Sequence, residues 1–185
     1  MKIVKFIQMK DGTKEDYLLL DKHEKEFVKK TPERILKYLS GLTSTLEGYQ
    51  VSRLEHSLQS ATRALRDNAD EEMVVATLLH DIGDDLAFHN HSEFAAAILK
   101  PYVSEKTHWI IEKHGLFQLY YYAHHLGFDK NEREKYKGHK YYKDTINFCE
   151  NWDQKSFDPN FKSLTLKDFE PCVKKIFSRT PYSNL

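Results

Sequence analysis

The run Met73-Val74-Val75-Ala76-Thr77-Leu78-Leu79 ends on the adjacent pair His80-Asp81. A helix this apolar must be covered on every side, so a helix over 70–82 belongs at the centre of the fold. Two polar residues at the end of a buried helix cost on the order of several kcal/mol unless they are paired or bind a metal. A fold built around this helix must therefore bring partners to His80 and Asp81. The chain holds suitable ones in His56, His91, His114 and Asp153.

The rest of the chain reads as helices. Helical patterning begins near Tyr17, and Pro32-Glu33-Arg34 reads as the first turn of a helix ending near Ser40. Leu54, Leu58, Ala61 and Leu65 repeat at threes and fours within 51–66. Further helices are expected over 91–99, 104–122, 131–136, 141–153 and 166–177, with Pro101 separating two of them and Thr165 capping the last. Gly83 is expected to end the central helix in a left-handed conformation. A short strand over 2–9, before the Asp11-Gly12 turn signal, is the one departure from an all-α reading. No repeat or linker divides the chain, and 185 residues suit a single domain with 1–40 as an N-terminal extension and 156–185 carrying the last helix.

Lys+Arg and Asp+Glu both number 28, which leaves no electrostatic case for nucleic acid or a membrane surface as partner. No apolar run approaches the roughly 20 residues of a bilayer span, and the lysine-broken start does not read as a signal peptide. With only Cys149 and Cys172, a reducing cytoplasm is expected and a disulfide scaffold is not.

His56, His80, Asp81, His91, His114 and Asp153 form the ligand set that two bridged ions require. Imidazole and carboxylate together suit iron, manganese or zinc. An aspartate can give one oxygen to each of two ions, a role expected of Asp81. His56 and Asp153 would complete the first ion's shell, and His91, preferred to the nearby His89, would join His114 at the second. Glu55 is a candidate to orient an imidazole through its other ring nitrogen. His108, His124, His125 and His139 are expected outside the ligand set, and Lys100, Lys106 and Lys113 on a solvated helix face.

The order of an early His (His56), a His-Asp pair (His80-Asp81) and a late Asp (Asp153) resembles the HD-domain superfamily over roughly 45–155. The segments Val51-Ser52-Arg53-Leu54-Glu55-His56-Ser57-Leu58-Gln59 and Leu78-Leu79-His80-Asp81-Ile82-Gly83 look most like the mixed-valent diiron HD oxygenases, which cleave phosphonates and have myo-inositol oxygenase as a distant relative. This resemblance implies an HD-type helical bundle, the same six residues as metal ligands and catalytic centre, two ions (iron, with manganese or zinc as alternatives), and O2 with a small hydroxylated substrate as partners. It also points to Tyr49, Asp84 and Gln118 as substrate-side residues. Asp84 and Gln118 stand where the phosphonate enzymes carry basic groups, so a cationic or hydroxyl group is expected opposite Asp84. The aromatic cluster Phe117, Tyr120, Tyr121 and Tyr122 could receive a quaternary ammonium group by cation–π attraction. A metal-dependent HD phosphohydrolase acting on a nucleotide or phosphoester is the alternative, and a non-catalytic ligand-binding HD module a third reading.

Overall fold

The computed structural model describes residues 2–43 and 47–182. Met1 and the beginning of the 45–155 span lie outside the described residues. Among the described residues eight α-helices carry the fold: α1 (Lys14–Lys29), α2 (Thr31–Gly41), α3 (Arg53–Arg66), α4 (Glu71–Leu79), α5 (His91–Leu99), α6 (Glu105–Tyr122), α7 (Tyr142–Phe148) and α8 (Leu166–Phe177). The fold is all-α. Among the described residues none forms a strand, and no helix is long and apolar enough to cross a membrane.

α4 is the centre. Every residue from Met73 to Leu79 is buried, and α3, α6 and α8 pack around it. Asp70 caps its start by accepting from the Met73 N–H at 2.8 Å. α5 lies along α6, while α2 closes over α8. Local chemistry sets the other starts. The Ser52 hydroxyl accepts from the Glu55 N–H (3.1 Å) while Glu55 accepts from the Ser52 N–H (2.7 Å), and Ser104 accepts from the Thr107 N–H at the head of α6. Thr165 and Asp168 make the corresponding pair at α8.

Four expectations are corrected. Residues 2–8 form no strand. Ile3 and Ile7 are exposed there, and an isolated extended segment has no ladder to join before the 3-10 turn Met9–Asp11. Residues 132–136 wind as a 3-10 helix rather than an α-helix. The helix expected over 141–153 is α7 followed by a π-turn, Cys149–Asp153, whose widened register shows in the Gln154 N–H bond to the Cys149 carbonyl (3.0 Å). Gly83 is not left-handed. α4 has already ended at Leu79, and Gly83 is needed for closeness: a Cβ there would lie 2.9 Å from the His91 carbonyl oxygen and 3.0 Å from its Cα.

The α3 stripe also differs in detail. Leu58 and Ala61 are buried, but Leu65, in the last turn of α3, is exposed, while His56, Ser57, Ser60 and Ala64 are covered too.

Candidate metal centre

His56 leaves the first turn of α3. His80 and Asp81 follow the last turn of α4, where the chain breaks into the tight turns of 80–86. His91 is the first residue of α5, His114 lies inside α6, and Asp153 ends the π-turn. These six side chains converge. Three overlapping groups of ligand atoms, His56/His80/Asp81, His80/His114/Asp153 and Asp81/His91/His114, are each mutually within 4.8 Å.

Asp81 divides its carboxylate between the two halves. Its Oδ2 lies 3.2 Å from His56 Nε2 and 3.5 Å from His80 Nε2. Its Oδ1 lies 3.2 Å from His114 Nε2 and 3.5 Å from His91 Nε2. Asp153 Oδ1 meets the first half, 3.4 Å from His56 Nε2 and 3.6 Å from His80 Nε2.

The proton inventory shows why the cluster is suited to a cation. His56 Nδ1 faces the Ser156 carbonyl at 2.9 Å, His80 Nδ1 the Thr77 carbonyl at 2.7 Å and His114 Nδ1 the Ile111 carbonyl at 2.7 Å. A carbonyl only accepts, so each Nδ1 donates and each neutral ring presents a bare Nε2 lone pair inward. His56 Nε2 and His80 Nε2 are 3.0 Å apart. Two lone pairs at that distance, in a buried site, repel unless positive charge sits between them. Burial works against a charged His56, yet the Asp153 and Asp81 carboxylates outweigh it and push its pKa up to about 9. Asp153 is held well below the usual carboxylate range, because its contacts with His56 and His80 in their charged forms outweigh burial; both carboxylates thus draw positive charge into the cluster. The donor set fits two first-row transition ions sharing Asp81.

The supporting contacts come from elsewhere than expected. Glu55 does not orient an imidazole; it caps α3 and faces outward. His56 is oriented by the Ser156 carbonyl, which is fixed because Gln59 pairs with the backbone of Asp158 and the Ser156 hydroxyl donates to the Trp152 carbonyl (2.5 Å). A main-chain partner leaves no mark on side-chain spacing, so the sequence offered no signal for it.

A cavity of about 310 Å³ opens onto Asp81, His91, His114 and Asp153. Tyr49 and Gln118 line it, with Arg53, Gly115, Tyr121, Tyr122, Gln154 and Phe157. Tyr49 stacks on Phe157 and carries Arg53 over its ring. The Gln118 amide donates to Asp153 Oδ1 at 3.1 Å, while its Oε1 is buried without a partner. Asp84 does not line the cavity. It is buried behind Arg53, which donates to it through Nε and pairs with it through Nη2. No acidic group is therefore presented to a ligand from position 84. Instead a cation is: Arg53 Nη2 lies 3.7 Å from Asp81 Oδ2, and its Nη1 is buried with no partner. The R-x-x-H spacing of Arg53 and His56 put both on one helix face and could have revealed it.

Of the aromatic cluster, Tyr121 and Tyr122 reach the cavity, Phe117 is core and Tyr120 stacks on the Arg133 guanidinium. His89 and His125 are exposed, His139 stacks on Trp109, and Lys106 pairs with Asp144; none approaches the cluster.

The fold is all-helical and encloses a buried His/Asp cluster of a kind that could hold metal ions. Residues 53–145, just over half the chain, match the HD domain family, and the chain belongs to it. Asp153 lies past the matched span, and the fold returns it to the other ligands. No curated protein matches the chain.

Proposed function

We propose that this protein is a dinuclear HD-domain oxygenase that uses O2 to cleave a small hydroxylated substrate bearing an anionic group, such as a phosphonate or a polyol derivative. The observation that carries the reading is the division of Asp81: one oxygen toward His56 and His80, the other toward His91 and His114. Four imidazoles and two carboxylates favour a redox-active pair over a single ion, and iron is the proposed metal. A bound iron pair would supply O2 activation and Lewis acidity toward a substrate hydroxyl.

The chain's own groups would bind, orient and exclude water. Arg53 Nη1 would receive the anionic group, held over the cluster by Asp84 and Tyr49. Gln118 Oε1 would accept from a substrate hydroxyl while its amide keeps Asp153 in place. Tyr49 and Tyr122, both lining the cavity and partly exposed, would limit water entry once a substrate is bound. The modest volume and the single lining cation suit a small monoanion better than a polyphosphate.

The experiment is electron paramagnetic resonance on anaerobically purified, partly reduced protein with metal quantified. Two irons with a coupled mixed-valent signal, perturbed by a hydroxylated anion, support the oxygenase. Two ions with no accessible mixed-valent state overturn it. A phosphohydrolase is the second reading, favoured by the free Arg53 Nη1 beside Asp81 and by the hydrolases of this superfamily. It requires turnover of a phosphoester that persists without O2.

A further inference from the structure

His91 is held differently from the other three histidines. Its side chain is 26% exposed, whereas those of His56, His80 and His114 are 1%, 0% and 2%. Its Nδ1 faces the Phe88 carbonyl at 3.2 Å, longer than the 2.7–2.9 Å of the other three. Its own hydrogen bond therefore does less to fix its ring, and packing against α6 must do more.

That packing depends on a missing side chain. A Cβ on Gly115 would overlap Ser92 Oγ and lie 3.3 Å from His91 Nε2 and 3.4 Å from its Cε1. Ser92 is buried, and its Oγ lies 3.2 Å from His91 Nε2. Gly115 is inside α6, next to His114, so one turn of helix supplies both a ligand and the notch into which α5 seats. Its conformation needs no glycine, since its φ is not positive. Helix propensity alone would favour alanine there. The glycine is explained by the contact.

Resting on the two-ion reading above, we propose that Gly115 and Ser92 are positioning residues for the second metal position. They set the distance from His91 to Asp81 Oδ1 and His114. Filling the notch forces Ser92 Oγ to turn away and the His91 ring to give by a few tenths of an ångström, which should move His91 off its ligand position. The three atoms nearest that Cβ belong to Ser92 and His91, so the His56, His80 and Asp153 side should keep its ion.

The test is manganese(II) reconstitution, with bound metal counted and electron paramagnetic resonance separating a coupled pair from an isolated ion. Wild type and Ser92→Ala are expected to hold two coupled ions. Gly115→Ala is expected to hold one, with an uncoupled signal, and Gly115→Ala/Ser92→Ala to regain the second because the overlapping Oγ is gone. Two coupled ions in Gly115→Ala, or no recovery in the double variant, overturn the inference while the two-ion reading stands. One ion in wild type overturns the two-ion reading and this inference with it. If Gly115→Ala does not fold, the double variant decides: folded with two ions supports the notch, and unfolded overturns it.

Discussion

Arg53 and Asp84 form a buried ion pair beside the His/Asp cluster, joining the first turn of α3 to the turn that follows Asp81. Burial and the neighbouring Asp81 charge push the Asp84 carboxyl up, and Arg53 opposes them. Removing the guanidinium leaves an uncompensated buried acid. Arg53→Ala should destabilise the protein by about 3–5 kcal/mol, measured by urea denaturation. Arg53→Ala/Asp84→Ala should recover much of that loss while anion binding in the cavity stays abolished. Equal instability of both variants would mean that the pair matters for packing rather than charge.

The proposed sharing of Asp81 between two ions predicts unequal losses. His91→Ala should release one of two bound ions and keep the other, whereas Asp81→Ala should release both. Metal analysis after exhaustive dialysis reads the difference. An Asp81→Ala protein that keeps one ion at wild-type affinity would argue against a bridge.

Glu55 provides a contrast. Its carboxylate completes the α3 cap and touches none of the ligands, so Glu55→Ala should cost on the order of 1 kcal/mol of stability. Metal content should not change. A loss of bound metal would return Glu55 to the imidazole-orienting role that its position beside His56 suggests.

Glu72 ties the start of α4 to the Ser104 N–H (2.8 Å) and to Arg179. Burial raises its pKa, but the donors at Ser104, Arg179 and Thr107 outweigh it and the net shift is downward from 4.5. A lowered folded-state pKa means that the stabilisation is fully present above pH 4.5 and is lost as pH falls through the folded value. Glu72→Gln should therefore be less stable than wild type at neutral pH, and the gap should close in acid. Denaturation midpoints across pH 2–7 test it; a constant gap would exclude the carboxylate as its source.

The central helix and its His80-Asp81 terminus were legible because a fully apolar helix admits no other placement, while the end of α5 followed from Pro101 and the start of α8 from its Thr165 cap. All six cluster residues could be named from side-chain chemistry. What escaped was carried by backbone and by closeness. The Ser156 carbonyl behind His56 has no side-chain signature, and the π-turn before Asp153 depends on an extra residue wound into one turn. The role of Gly83 arises from a segment that contacts it only after folding. Asp84 was read by position alone; the arginine that covers it lies 31 residues earlier.

The order of the ligands along the chain has a consequence for synthesis. Asp81, His91 and His114 are all present once residue 114 has been made, whereas His56 and His80 wait for Asp153 and for the carbonyl of Ser156. A nascent chain thus completes its more exposed half-cluster first and its sealed one last, when the segment carrying Asp153 and Ser156 settles over α3.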